Sequence, residues 1–572
     1  MSFRFLKLNS LNCLTLVFII YLAVMRFKLI LVLVIISFQA SFGQPEMLVY
    51  HDIKTDASGK IIPWFSSEPG TSYSYVIQSV WHFWDTMRVD MNGLPYYMNH
   101  QVWKAGVDDT RGIGGDQLQM ALSSWLLLYQ FTGDERIKEN MKFIAGYYLT
   151  HGLSDASAKW PDIPYPYNTL IYSGIFDGDM VIGKDFTQPD KAGSFGLELI
   201  HLYKITGNKR HGQTPSGVYL NAAVKIANTL SAHMIEGDDK KSPLPFKVNA
   251  VTGEPGKLLS NNGDGSVASL SDYTSNWSGT MELFLGLIKM NKGDVSLYKH
   301  SFDILLSWMK KYPLKNNKWG PFFEDVPGWS DTQINAITFA QFMMNHQEYF
   351  PDWKNEVEGI FKWVYKTLGN NTWEKYGVVV VNEQTAYLVP GNSHTSRQGS
   401  AELLYVALTG DTTRKQNAIR QLNWATYMVD YDGKNRYPMD ENWLTDGYGD
   451  YVRHFLRAMG ALPELAPSDE EHILYSSSVI QEVEYKNRTG SSYMNVVDKP
   501  ELKNIKLRYT AYDNKGVETI RLLNKPSQVQ LNGISIVASE NQGVDSYSWQ
   551  PLKKGGLLKI NRVSGNEITV LD

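Results

Sequence analysis

The chain has a single cysteine, Cys13, and it lies in an N-terminal stretch that reads as a removable segment. The processed chain then has no disulfide, no thiolate metal ligand and no cysteine nucleophile. Other signatures are missing as well. There is no His-Glu-x-x-His pair, no Gly-Lys-Ser/Thr phosphate loop and no nucleophile elbow. Asn262-Gly263-Asp264 lies near Asp272 but lacks the spacing of a calcium loop, so neither a metal nor a cofactor is expected. Basic charge is not in excess: 55 Lys and Arg face 59 Asp and Glu, for a formal charge of -4. A nucleic-acid partner is therefore not expected, and an anionic ligand has to be held by a local cluster of Arg and His.

The first 43 residues carry Arg4, Lys7, Arg26 and Lys28 and no acidic residue, so removing these four cations moves the charge from -4 to -8. Met25-Arg26-Phe27-Lys28 is a short basic start, Leu29 to Phe38 is apolar, and Ser41-Phe42-Gly43 supplies small residues ahead of Gln44. This is the layout of a secretory signal, with Met25 as the natural start and export to the periplasm or beyond of a Gram-negative-type bacterium. A second apolar run, Leu14 to Val24, leaves a membrane anchor as the alternative, although Arg26 and Lys28 interrupt the two runs. With the signal gone, no stable membrane association is expected.

At 572 residues, two domains are expected. Residues 44–72 read as an extended lead-in broken by Pro45, Pro63 and Pro69. From 73 to 462 one helical pattern recurs. Gly114-Gly115-Asp116 opens a run that closes at Tyr129-Gln130-Phe131-Thr132-Gly133-Asp134. Gly193-Ser194-Phe195-Gly196 opens another, closing at Tyr203-Lys204-Ile205-Thr206-Gly207-Asn208. Ser278-Gly279-Thr280 opens a third, closing near Asn291-Lys292-Gly293-Asp294, and Gly399-Ser400 opens one that closes at Thr409-Gly410-Asp411. Weaker copies begin near Asp331 and Gly449. Small residues at each start permit close approach, a glycine at each end suits a left-handed cap, and the following Asp or Asn can cap a second helix. This is an array of helical hairpins.

The Tyr-x-x-Thr-Gly-Asp closures resemble those of the (α/α)-toroid glycosidases and polysaccharide lyases. The resemblance covers roughly residues 73–462. It implies a mainly α fold, an (α/α)-toroid of about six helical hairpins whose inner helices start around one mouth. From 463 the composition changes: Val479 to Tyr485, Ile505 to Thr510, Val517 to Leu523, Val529 to Leu531 and Leu557 to Ile560 alternate or run as short strands, punctuated by Asp513-Asn514 and Asn532-Gly533. Residues 463–572 are expected to form a small antiparallel β-sandwich, joined through Ala461 to Pro467.

The polar stretch Asn392-Ser393-His394-Thr395-Ser396-Arg397 reads as a loop that delivers chemistry ahead of a helix. A neutral histidine takes a proton near pH 7, an arginine grips a carboxylate through two parallel bonds, and an asparagine donates to the same carboxylate; the alternative is a capping loop. Trp443-Leu444-Thr445-Asp446-Gly447-Tyr448-Gly449 sets a tyrosine between glycines, with Arg453 following. Tyr448 is a candidate acid and Asp446 a ligand contact or a hydrolase carboxylate; the alternative is an aromatic core with Arg453 in an ion pair. His100, Trp103 and Arg111 flank the first helix start. Tyr273 is an alternative acid and Trp277 a stacking platform. Tyr165 and Tyr167, among prolines, extend a sugar surface; for each of the residues from His100 to Trp277 named here, taken alone, structural packing is the alternative. Aromatic residues make up 13% of the chain, with 16 Trp and 33 Tyr, which suits sugar stacking and equally the filling of a large helical core.

Arg, His, Asn and Tyr without paired carboxylates fit β-elimination across C4–C5 of a uronic acid. The expected function is a carbon–oxygen lyase on an anionic poly- or oligosaccharide. Similar toroid lyases act on algal polysaccharides such as ulvan or alginate; if hydroxyl leaves C4, the same chemistry makes an oligosaccharide dehydratase. A toroid glycoside hydrolase using Asp116, Asp331 or Asp446 and a non-catalytic sugar-binding protein are the alternatives.

Overall fold

The computed structural model describes residues 46–87, 89, 91–98, 114–170, 173–179, 182–207, 214–258, 269–322, 329–436, 438, 449–486, 502–539 and 543–572. The chain divides into two compact units, Met1–Leu48 and Val49–Asp572. The first is described only at its last three residues, and the rest of this account concerns the second.

Helices dominate up to residue 461. In chain order those longer than four residues are α1 (Pro69–Asp85), α2 (Gly114–Thr132), α3 (Glu135–His151), α4 (Pro189–Thr206), α5 (Gly217–Ala232), α6 (Ser278–Met290), α7 (Val295–Lys311), α8 (Gln333–Asn345), α9 (Trp353–Leu368), α10 (Asn392–Thr409), α11 (Lys415–Thr426) and α12 (Val452–Ala461). They pack in pairs: α2 with α3, α4 with α5, α6 with α7, α8 with α9, α10 with α11, and α12 with α1. The first members also touch in sequence, α2 to α4, α6, α8, α10 and α12, and α12 touches α2 again. Small residues set the closest of these approaches. A Cβ on Gly193 would stand 1.9 Å from Thr280 Oγ1, and one on Gly279 would stand 2.3 Å from Ser194 Oγ, so α4 and α6 cross at a point that excludes larger side chains.

The helix ends correct part of the sequence reading. Gly410 caps α10 in the left-handed region at φ 76°, but at the third closure Asn291 takes that conformation, with φ 52°, and Gly207 is extended at φ -85°. Asp134 and Asp294 cap α3 and α7, accepting from the Arg136 and Leu297 amides. Pro69, read as a breaker, instead sits in the first turn of α1, where a missing N–H removes no helical bond. The helical span is also interrupted by a hairpin, β1 (Val380–Gln384) and β2 (Tyr387–Pro390), built from the β-branched run Val378 to Val381.

Beyond residue 470 the chain is β: β3 (His472–Ser476), β4 (Ile480–Tyr485), β5 (Ile505–Ala511), β6 (Gly516–Leu522), β7 (Gln528–Leu531), β8 (Ile534–Ser535), β9 (Val537–Ala538), β10 (Ser546–Pro551), β11 (Gly556–Arg562) and β12 (Glu567–Leu571). They form two five-stranded sheets, ordered β3-β6-β11-β10-β9 and β4-β5-β12-β7-β8. All pairings are antiparallel except β9 with β10. Asn532 and Gly533, with φ of 49° and 78°, make the tight turn between β7 and β8 that their sequence foretold. A buried Arg562–Glu518 pair at 2.7 Å, with Tyr509 of β5 donating to Glu518 of β6 at 3.1 Å, ties the two sheets.

The sheets seat on the C-terminal ends of α2 and α4. Tyr485 donates to the Gln130 carbonyl at 2.5 Å, Gln481 donates to the Lys204 carbonyl at 2.7 Å, and the His472 ring stacks on Phe131 with centroids 3.7 Å apart. The segment expected to be a linker is packed: Leu465 and Ala466 are buried, and a Cβ on Gly70 would stand 2.4 Å from the Ala466 carbonyl carbon. The helix starts are left facing the other way.

Candidate active site

Residues 392–397 are not a loop. Asn392 is the first residue of α10, so His394 and Arg397 lie in its first two turns, and both are fully buried. The helix carries these polar groups because they find partners on neighbouring helices, which offsets the cost of desolvating them. The centre of the cluster is Asp450, just ahead of α12. Its carboxylate receives Arg397 Nη2 at 2.6 Å, the Ser393 hydroxyl and the Arg453 guanidinium, and His454 Nε2 lies 3.6 Å away. Arg397 also donates to Gln333 Oε1, at the start of α8, at 3.3 Å, and to Ser393 Oγ at 3.1 Å. The starts of α8, α10 and α12 therefore meet through side chains.

The charges are strongly tuned. Burial by itself would raise the Asp450 pKa, but Arg453 and Arg397 hold it well below the usual carboxylate range. Burial, then the Arg397 charge, pushes the His394 pKa well below 6.5 against the opposite pull of Asp450. His454 is likewise pushed far down, chiefly by burial. Both imidazoles are neutral at neutral pH.

A second cluster joins the starts of α4 and α6. Lys191 Nζ lies 3.2 Å from Asp190 Oδ2, donates to the Phe322 carbonyl at 2.9 Å and stands 3.3 Å above the Phe322 ring centroid. Asn276 donates to the same Asp190 oxygen at 2.8 Å. Phe322 packs with Met120 of α2 and Ile334 of α8, so an apolar contact links the two clusters.

The remaining residues expected in the site divide into two groups. His100, Trp103, Arg111, Asp446 and Tyr448 lie outside the described residues, as does the Asp116 side chain. The others are placed, and several differ from expectation. Asn392 is buried and donates to Asn435 Oδ1 at 2.8 Å. Tyr273 is 4% exposed and gives its hydroxyl proton to the Lys318 carbonyl at 2.7 Å. Burial and then Asp331 raise its pKa, so the phenol stays protonated and is engaged in packing. Trp277 is fully buried, its indole donating to the Thr274 carbonyl at 2.8 Å, so it offers no stacking face. Tyr165 and Tyr167 are also buried; burial, then Asp185, raises the Tyr165 pKa to about 12. Arg453 is in an ion pair with Asp450 and donates to Ser123 Oγ at 2.6 Å. In each case an aromatic or long side chain near a helix start is taken up by helix packing.

Asp331, a carboxylate of the hydrolase alternative, accepts the Trp319 and Gly320 amides at 2.7 and 3.0 Å and the Trp329 indole at 3.0 Å. A carboxylate held by three N–H donors organises its loop. Sequence reasoning missed Asp450, Ser393, Gln333 and the Lys191–Asp190 pair. Asp450 had a legible signal, since it precedes Arg453 by three residues and His454 by four, the spacing of one helix face. Among the described residues, no group of three His, Cys, Asp or Glu side chains is placed to hold a metal, and no helix is long and apolar enough to cross a membrane.

No family model and no curated protein matches the sequence. Among solved structures, the chain is similar to a sugar epimerase from a ruminal bacterium, at 13% identity over 68% of this chain and 99% of that one, with a TM-score of 0.49. It is similar to cellobiose 2-epimerase from Spirochaeta thermophila at 13% identity, over 69% and 96%, with a TM-score of 0.49. A family 76 glycoside hydrolase from a bovine Bacteroides thetaiotaomicron strain is similar at 12% identity, over 69% and 78%, with a TM-score of 0.43.

Proposed function

We propose that the six helix pairs close an (α/α)-toroid and that the protein is an exported carbohydrate enzyme, a carbon–oxygen lyase acting at C4–C5 of a uronic acid in an anionic saccharide of ulvan or alginate type. The observation that carries the reading is the meeting of His394, Ser393, Arg397, Gln333 and Asp450 where three helices begin. His394 has no accessible surface, so in the elimination the neutral imidazole takes the proton from C5 only after the side chains that cover it move aside. The C–H electron pair forms the C4=C5 double bond, the C4–O4 bond breaks, and the departing oxygen takes a proton from Tyr448. The product leaves as a glycosyl hydroxyl or as water. Arg397 does not grip the substrate in this scheme, because Asp450 already holds it. Its role is to keep His394 neutral and to fix the first turns of α10.

Incubation with ulvan, alginate and their oligomers, read at the unsaturated-uronate absorbance band, tests the proposal; mass spectrometry separates chain cleavage from loss of water. His394→Asn is expected to abolish the absorbance without lowering the melting temperature. Because the His394 pKa lies well below 6.5, its base form persists into acid, so the acidic limb of kcat/KM is expected well below pH 6.5. Saturated sugar products would establish the hydrolase alternative, and binding without turnover the sugar-binding one.

A further inference from the structure

Arg457 is left over by the site described above. On α12 the buried residues Val452, Phe455 and Met459 form one face, and Phe455 lies against Tyr73 of α1 with ring centroids 5.0 Å apart. Arg453 and Arg457, four residues apart, lie on the opposite face. Arg453 is committed to Asp450 and Ser123. Arg457 is exposed, and among the described residues no side chain or carbonyl forms a hydrogen bond or ion pair with it. The charges it feels sit on several helices: Arg453 and Asp450 around the start of α12, Glu198 on α4 and Arg397 on α10. Because α1 lies against the Phe455 face, the Arg453 and Arg457 face of α12 is turned toward the inside of the helix cycle. Crowding by the protein, then Arg453, lowers the Arg457 pKa to about 10, while the side chain keeps accessible surface. Its exposure and the face it occupies leave the guanidinium open to a ligand entering the helix cycle.

We propose that Arg457 is the anion anchor of the site, a guanidinium inside the helix cycle that receives the acidic group of a saccharide ligand. The assignment rests on the carbohydrate reading given above. The chemistry it recognises is a planar or tetrahedral oxyanion, met by parallel N–H donors: a uronate carboxylate or a sulfate ester. Of the arginines facing this interior, Arg397 and Arg453 are both bonded to the Asp450 carboxylate. Glu198 is engaged by His201 Nδ1 at 3.0 Å. Three guanidiniums and two carboxylates leave a net positive charge here, and Arg457 is the guanidinium with no carboxylate bonded to it among the described residues.

The test measures melting temperature and binding isotherms of the full chain and of Arg457→Met and Arg457→Lys. The probes are a glucuronate-containing ulvan oligosaccharide, a neutral oligosaccharide of equal length and inorganic sulfate, at matched ionic strength. The expected result is saturable stabilisation of the parent by the acidic oligosaccharide and none by the neutral one. Apparent affinity should fall at least tenfold in Arg457→Met and less in Arg457→Lys. Stabilisation by sulfate that competes with the oligosaccharide assigns the anchor to sulfate esters, and its absence assigns it to carboxylate. Without ligand, Arg457→Met should melt no lower than the parent, since an unpaired desolvated cation contributes no stability. Equal affinity in Arg457→Met, a lower ligand-free melting temperature in that variant, or a parent that no anion stabilises would each overturn the assignment. Arg457-dependent binding without unsaturated product would leave the anchor standing and remove the elimination.

Discussion

Replacing Asp450 with Asn is the sharpest test of the buried cluster. The substitution preserves shape and removes one negative charge from a carboxylate that pairs with Arg397 at 2.6 Å and also holds Arg453 and Ser393. Arg397 is fully buried, so its charge then loses the carboxylate paired with it. Breaking a buried pair by removing one partner costs about 3–5 kcal/mol. Unfolding about 520 residues at ~2.1 cal/mol/K each gives an entropy of ~1.1 kcal/mol/K, so the melting temperature should fall by about 3–5 °C. The assay is a melting scan at one fixed rate, because a chain of this size can unfold irreversibly. Arg397→Met combined with Asp450→Asn should cost less than the sum of the two single changes, since each alone strands a charge that the other neutralised. A fall of under 1 °C in Asp450→Asn, or strict additivity in the double variant, would refute the reasoning.

The core makes two further predictions. Glu402 is fully buried on α10, and burial, opposed by Arg414, raises its pKa from 4.5 to about 7. The folded state therefore keeps a proton that the unfolded chain releases, and stability falls as pH rises from about 4.5 through about 7. Glu402→Gln should match the parent at pH 4 and exceed it by about 3 kcal/mol at pH 8, read as a melting temperature that no longer declines across that window. Gly193→Ala places a methyl 1.9 Å from Thr280 Oγ1 and 2.7 Å from Thr280 Cβ, so it should cost about 1–3 kcal/mol; adding Thr280→Gly should restore most of the loss in the same melt.

What the sequence revealed follows from which signals are local. Gly193 and Gly279 were readable as close-approach positions because only small residues stand at those helix starts. Asn532-Gly533 was readable as a turn because its backbone preference needs no partner. The start of α10 was misread for the same reason in reverse: Ser, Asn and Thr near a helix start usually read as a loop. Here Ser393 reaches Asp450, 57 residues on, and Arg397 reaches Gln333, 64 residues back, so tertiary contacts override local preference. Tyr273 and Trp277 were read as site candidates with structural packing as the alternative, and the sequence held no local sign that the Lys318 carbonyl would take the phenol's proton or that α6 would bury the indole. Arg457 carried no sequence signal at all, since its role depends on what its helix neighbours leave unpaired.

The cluster around Asp450 is also a poor choice if stability were its purpose. Taking three ionised groups and two neutral imidazoles out of water costs free energy that well-packed hydrophobic residues of like volume would avoid. What the arrangement gives in return is fixed position and fixed protonation. Asp450 stays ionised because two guanidiniums face it, His394 stays neutral because burial and Arg397 oppose its charge, and the serine between them is held by both the carboxylate and the guanidinium. A neutral base held at one place in a low-dielectric setting is what proton abstraction from a weakly acidic carbon requires. The same three groups placed on the protein surface would titrate near their ordinary values and could not hold a base in that state.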